Sequence, residues 1–153
     1  MSNNQISLRP TSAFIGASWA CLVLGMGAYL IGLWNGPMAI SEKGFYFGAL
    51  MLGLFAAVSL QKTVRDRIEG IPVTHVYNGM CWAGLLIALA MLTVGLFNAT
   101  FDLAVKGFYA MAYLLSLFAV VTVQKNVRDM KAFRGNDGES MAAEPDSRLN
   151  EAS

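Results

Sequence analysis

Four stretches of the chain, residues 13–34, 45–60, 76–97 and 107–123, hold no Asp, Glu, Lys, Arg or His, and short polar segments separate them. A bilayer core about 30 Å thick needs about 20 helical residues, a length the first and third stretches meet. The second and fourth are shorter, on the order of 25 Å as helices. Lys43 and Lys62 flank one, and Lys106 and Lys125 flank the other. Ammonium groups that snorkel to the headgroups lengthen the usable span. A soluble bundle would need a polar stripe on each helix, whereas the polar residues within these stretches are mostly Ser, Thr, Tyr and Cys. The pattern predicts an all-α membrane protein with four transmembrane helices. The first stretch is too long for a signal-peptide core, has only Arg9 before it as a cation and no A-x-A site after it, so it is expected to be retained.

The polar punctuation repeats. Gly32-Leu33-Trp34-Asn35 returns as Gly95-Leu96-Phe97-Asn98, Lys43-Gly44-Phe45-Tyr46 as Lys106-Gly107-Phe108-Tyr109, and Gln61-Lys62-Thr63-Val64-Arg65-Asp66 as Gln124-Lys125-Asn126-Val127-Arg128-Asp129. Leu52-Gly53-Leu54-Phe55-Ala56 matches Leu115-Ser116-Leu117-Phe118-Ala119, and Trp19 matches Trp82. Every pair is 63 positions apart, as Lys106 is from Lys43. A shared apolar composition would not keep loops in one register, so the chain is a tandem duplication. Each unit is a helical hairpin with an even number of spans. The units are therefore parallel, unlike the inverted repeats of many transporters. The expected divisions are an N-terminal segment 1–12, a first hairpin 13–66, a linker 67–75 broken by Gly70 and Pro72, a second hairpin 76–129, and a disordered tail 130–153.

Composition fits this picture. Of 153 residues, 56% are hydrophobic and 14% charged, against about 25% charged in soluble domains. The mean hydropathy is +0.50. A net charge of +1 gives no field that would draw nucleic acid. The placement of cations is more telling. Arg9, Lys62, Arg65, Arg67, Lys125, Arg128, Lys131, Arg134 and Arg148 fall on one side, and only Lys43 and Lys106 on the other. The positive-inside rule then puts both termini and the linker in the cytoplasm, with loops 35–44 and 98–106 outside. Trp19 and Trp82 fall toward the inner interface, Trp34 and Phe97 toward the outer one.

Small residues four apart let membrane helices approach closely. Such stripes run through Ala17, Cys21 and Gly25, through Gly84 and Ala88, through Ala49, Gly53 and Ala57, and through Ala112 and Ser116. They mark either helix interfaces, a homo-oligomer seam included, or the general abundance of Gly and Ala in membrane helices.

The Gln-Lys-x-Val-Arg-Asp segment ends each second hairpin helix. Lys62 with Asp66, and Lys125 with Asp129, have the spacing of helical ion pairs. Cations here suit the helix dipole and anchor topology, which leaves Gln61 and Gln124 unexplained. Gln61, Lys62, Arg65, Asp66, Gln124, Lys125, Arg128 and Asp129 are therefore the candidate contacts for anionic membrane lipid or a cytoplasmic partner. Asn35 and Asn98 suit left-handed C-caps.

Catalytic chemistry has little to work with. His75 stands alone, the nine Met are scattered, Cys21 and Cys81 form no C-x-x-C, and no phosphate loop or nucleophile motif occurs. No catalytic residue, metal site or cofactor is expected. No ionisable residue falls at mid-membrane, where ion-coupled carriers place one. Tyr29, Thr93, Tyr113 and Ser116 are the modest polar candidates there.

The three repeated motifs resemble the YiaA/YiaB family of bacterial inner membrane proteins, the YiaA branch in particular, over 13–129. The resemblance implies a duplicated two-helix domain and an inner-membrane location, and brings no catalytic residues to transfer. Phe97 stands where the first unit has Trp34, and Val105 where it has Glu42, so the two outer loops need not serve alike. The expected function is non-enzymatic, through lipid or protein contacts. The alternative is a minimal transporter or channel for a small solute, assembled from several copies around a polar stripe.

Overall fold

A computed structural model describes residues 10–150, with side chains over 10–131. It contains four helices, α1 (Ser12–Asn35), α2 (Ile40–Ile68), α3 (His75–Asn98) and α4 (Leu103–Asn150). Each is long and apolar enough to cross a membrane. Over most of the stretch 130–153 expected to be disordered, α4 continues as helix, to Asn150, with side chains described only to Lys131.

The helix ends are built the same way in both units. Thr11 Oγ1 accepts from the Phe14 amide at 3.3 Å and Thr74 Oγ1 from the Tyr77 amide at 3.4 Å, so α1 and α3 begin with the same cap. At their other ends the left-handed asparagine caps do not form. Asn35 and Asn98 stay helical, and their side-chain amides donate to the carbonyls of Ile31 and Val94 at 2.9 and 2.8 Å. The capping residues Gly36 and Ala99 are extended. The exposed carbonyls are met from across the turn instead. Lys43 Nζ donates to Trp34 O at 2.8 Å, and Lys106 Nζ to Phe97 O at 3.4 Å. Gly70, at φ 75°, supplies the left-handed turn that ends α2.

Packing departs from what a hairpin suggests. The two helices of each unit barely touch; α1 lies along α4, α3 along α2, and α2 meets α4 between them. Close approach explains the exchange. A Cβ on Gly32 of α1 would lie 2.9 Å from the Phe108 ring of α4, and one on Gly95 of α3 would lie 2.8 Å from the Phe45 ring of α2. The core at that level is aromatic, with Tyr29, Tyr46, Tyr109 and Tyr113 all buried. The outer surface is apolar: Leu24 is 66% exposed, Phe55 72% and Phe118 71%. Such a surface suits acyl chains rather than water.

Candidate functional site

One end of the bundle gathers residues 61–75, the start of α1 and residues 124–131; it is called the linker end here, and the opposite one the loop end. The repeated Gln-Lys-x-Val-Arg-Asp segment divides its side chains between two faces. On a helix, positions four apart share a face, and the position midway between them points the other way. Thr63 and Asn126, at x, are almost wholly buried and turn toward the flanking helices. Asn126 Nδ2 donates to Ser18 Oγ of α1 at 3.0 Å, and Thr63 Oγ1 lies 3.6 Å from Cys81 Sγ of α3. These two contacts are 63-residue counterparts, partner for partner. The sequence signal was present in the polar character of x in both units, but nothing local shows which helix it meets.

Gln61 with Arg65, and Gln124 with Arg128, occupy the opposite face. Gln61 Oε1, Gln124 Oε1, Arg65 Nη1 and Arg128 Nε are buried and have no hydrogen-bond partner among the described residues. An unmet buried polar atom costs about 1–3 kcal/mol, so the gathering of these atoms at this end of the bundle marks a candidate site for a binding group.

Gln61, Arg65 and Arg128, though not Gln124, edge a groove of about 810 Å³. Gln61, Arg65, Lys125, Arg128, Asp129 and Glu69 stand at its mouth, and Leu85, Leu89, Leu114, Leu117, Phe118 and Val121 form its depth. The apolar wall escaped sequence reasoning because every helix here is apolar all round. Three cations face two carboxylates at the mouth, so the field there is positive. The ion pair formed at this end is Arg65 with Glu69, rather than Lys62 with Asp66 or Lys125 with Asp129. Lys62 is exposed and turned away from the groove, and Glu69 lies one helical turn beyond Arg65, within reach of its Nε. Glu69 occupies Arg65 Nε and leaves Nη1 unmet.

The small residues expected at helix interfaces are mostly there. Gly25, Ala49, Gly53, Ala88, Ala112 and Ser116 are buried, and Cys21 and Gly84 are half-buried. A Cβ on Gly25 would lie 3.0 Å from the Ser116 backbone nitrogen, which makes this the seam of α1 with α4. Ala17 is exposed and takes no part; Ser18, one position on, faces the neighbour.

The mid-membrane hydroxyls are used internally. Tyr29 donates to Tyr46 O at 3.0 Å, Tyr113 to Ala49 O at 3.1 Å and Ser116 to Ala112 O at 2.7 Å. Thr93 is exposed and donates to Leu89 O of its own helix at 2.8 Å. Among the described residues no three His, Cys, Asp or Glu side chains come together.

Residues 14–66 and 77–129 each match the family model described as the yiaA/B two helix domain. The chain is 54% identical over 127 residues to the inner membrane protein YiaA of Escherichia coli K12, a match covering 83% of this chain and 87% of that protein. It is 28% identical over 96 residues to the inner membrane protein YiaB of the same organism, covering 63% and 81% respectively. No solved structure matches.

Proposed function

The chain belongs to the yiaA/B two-helix domain family, and from that membership we propose that it is a small multi-pass inner membrane protein without enzymatic chemistry, acting through contacts at its linker end with membrane lipid or a protein partner. The observation that carries this is the trio Gln61, Arg65 and Arg128, whose buried polar atoms lack partners at the mouth of an apolar groove. Positively charged residues gathered at one membrane face attract anionic headgroups and acidic protein surfaces alike. The charge bias of the loops supports an orientation with both termini in the cytoplasm.

The transporter alternative needs polar side chains along a face that several copies could share. The hydroxyls of Tyr29, Tyr113 and Ser116 are instead spent inside one chain. The small-residue seams are likewise consumed within the bundle, so a homo-oligomer would have to use another face.

A photoreactive residue at Val64, 47% exposed at the groove, tests the site in native membranes. A specific lipid or protein adduct is expected there, reduced when Arg65 and Arg128 become Gln, and absent from the same probe at Val94 near the loop end. Equal labelling at both positions would remove the linker end from consideration. Membrane-impermeant thiol reagents should reach a cysteine at Ser41 from outside the cell and miss one at Ile71; the reverse pattern would invert the orientation.

A further inference from the structure

The groove lined by α2 and α4, with Leu85 and Leu89 of α3 on one wall, has dimensions and chemistry that narrow its occupant. We propose that it holds one anionic phospholipid with a hydroxyl-bearing headgroup, such as phosphatidylglycerol, taken from the leaflet at the linker end. This rests on the functional reading above and specifies the partner at the same site.

The depth fits one leaflet. Arg128 at the mouth and Leu114 at the inner limit both line the groove, and fourteen positions of helix between them span about 21 Å. A bilayer with its headgroups is about 40–45 Å thick, so one leaflet takes about half of that. Leu89 and Leu114 also line a second cavity of about 520 Å³, which continues past Thr93 to Lys106 at the loop end. The two cavities meet at Leu89 and Leu114, at the mid-membrane level, where the acyl chain of a lipid from that leaflet would end. A transmembrane helix would instead have to run through both cavities, and would present Gln61, Arg65 and Arg128 with hydrogen-bonded backbone.

The polarity follows the same axis. Leu85, Leu89, Leu114, Phe118 and Val121 give an acyl chain an apolar wall, and the unmet donors Arg65 Nη1 and Arg128 Nε lie at headgroup depth. A phosphodiester accepts from guanidinium groups. That pairing leaves Gln61 Oε1 at the groove, an acceptor that needs a donor. A headgroup hydroxyl supplies one. A choline headgroup cannot donate, and its positive charge would sit among Arg65, Lys125 and Arg128.

Native mass spectrometry of the full chain, extracted from nanodiscs of defined composition, tests the proposal. One phosphatidylglycerol per chain should be retained in preference to phosphatidylcholine, with phosphatidic acid between them. Retention should fall about fivefold for each of Arg65→Gln and Arg128→Gln, the effect of one basic residue near a membrane surface. Leu114→Trp leaves the cations intact and fills the inner groove at a position 41% exposed; it should displace the lipid while circular dichroism stays helical. Equal retention of phosphatidylcholine, or phosphatidylglycerol bound undiminished in Leu114→Trp, would overturn the assignment. Phosphatidic acid held as well as phosphatidylglycerol would overturn the part given to Gln61. A protein adduct in the groove that excludes lipid would overturn this inference and leave the linker end as a contact site.

Discussion

The α1–α4 and α3–α2 pairs are two versions of one interface, and they agree at their ends and differ in the middle. At the ends, Thr11 and Thr74, Asn35 and Asn98, and Lys43 and Lys106 make matching bonds. The Gln-Arg pairs at the other extremity each leave the glutamine oxygen and one arginine nitrogen unmet. In the middle, Tyr29, Tyr113 and Ser116 of one pair face the duplication as Leu92, Leu50 and Gly53 of the other. Of these three, Tyr113 alone crosses between units, donating to Ala49 O of the first, and its counterpart Leu50 has no hydroxyl with which to answer. Both units keep what sets topology and surface contact. The interior has been divided into a tyrosine-bonded half and an aliphatic half.

The largest effects should come from breaking the closer of the two seams. At Gly25 an added methyl would meet the Ser116 side chain at 2.9 Å and its backbone nitrogen at 3.0 Å. The equivalent position of the other pair already carries Ala88, fully buried. Gly25→Ala should therefore destabilise the detergent-solubilised protein by about 1–3 kcal/mol, the range for overpacking. Gly48→Ala, with nothing within 4 Å, should be neutral or slightly stabilising through helix propensity. Unfolding titrations that ranked the two equally would mean the halves are not packed differently.

Gly53→Ala should come next. Its Cβ would collide with the Tyr113 hydroxyl, and the ring carbon behind it lies at 2.9 Å. Here the obstacle is a side chain, so Tyr113→Leu, which copies Leu50 of the other unit, should restore most of the loss. A double-mutant cycle measures that coupling. If Tyr113→Leu fails to rescue, the glycine serves something other than the tyrosine that divides the halves.

How far these differences were legible depends on whether they are local. The four spans, their register and the duplication follow from charge-free runs and one constant offset, which need no tertiary knowledge. Gln61 and Gln124 stood out because topology anchoring explains them less well than it explains the neighbouring cations. Exchange of partners between hairpins was not visible: a small-residue stripe shows that a face is close-packed, not which helix fills it. Ala17 had the right size and spacing and still points outward. Lys62 and Asp66 had the right spacing too, but the ion pair at that end went to Arg65 and Glu69. The Tyr113 bond joins residues 64 positions apart and ends on a helix carbonyl, an acceptor every residue carries, so no residue type announces it.

The buried polar pairs offer a smaller and sharper contrast. Asn126 bonds Ser18 at 3.0 Å, whereas Thr63 meets Cys81 at 3.6 Å through a sulfur and also satisfies Ser59 O of its own helix. Hydrogen bonds between membrane helices contribute about 0.6 kcal/mol on average and at most about 1.7. Asn126→Ala should lie in the upper part of that range and Thr63→Ala below the mean. Exchanging the pairs, with Ser18→Cys and Asn126→Thr together, should bring the first interface down to the level of the second. No change in that variant would mean that the amide is not what holds α1 to α4 at this end.

The smallest expected effects are at the loop end, where both units place a lysine on the last turn of the preceding helix. Lys43 and Lys106 each close the last turn of the preceding helix by reaching the carbonyl of Trp34 or Phe97, at 2.8 and 3.4 Å respectively. A cation at a helix C-terminus contributes about 0.3–1 kcal/mol when partly exposed. Lys43→Met keeps the apolar stem while removing the charge, and should cost more than Lys106→Met because its bond is shorter and better formed. Raising the salt concentration should shrink both differences, since screening weakens exposed charge interactions. If the two substitutions cost the same and resist salt, the lysines act through their stems at the membrane interface, and the loop ends would match in packing rather than in electrostatics.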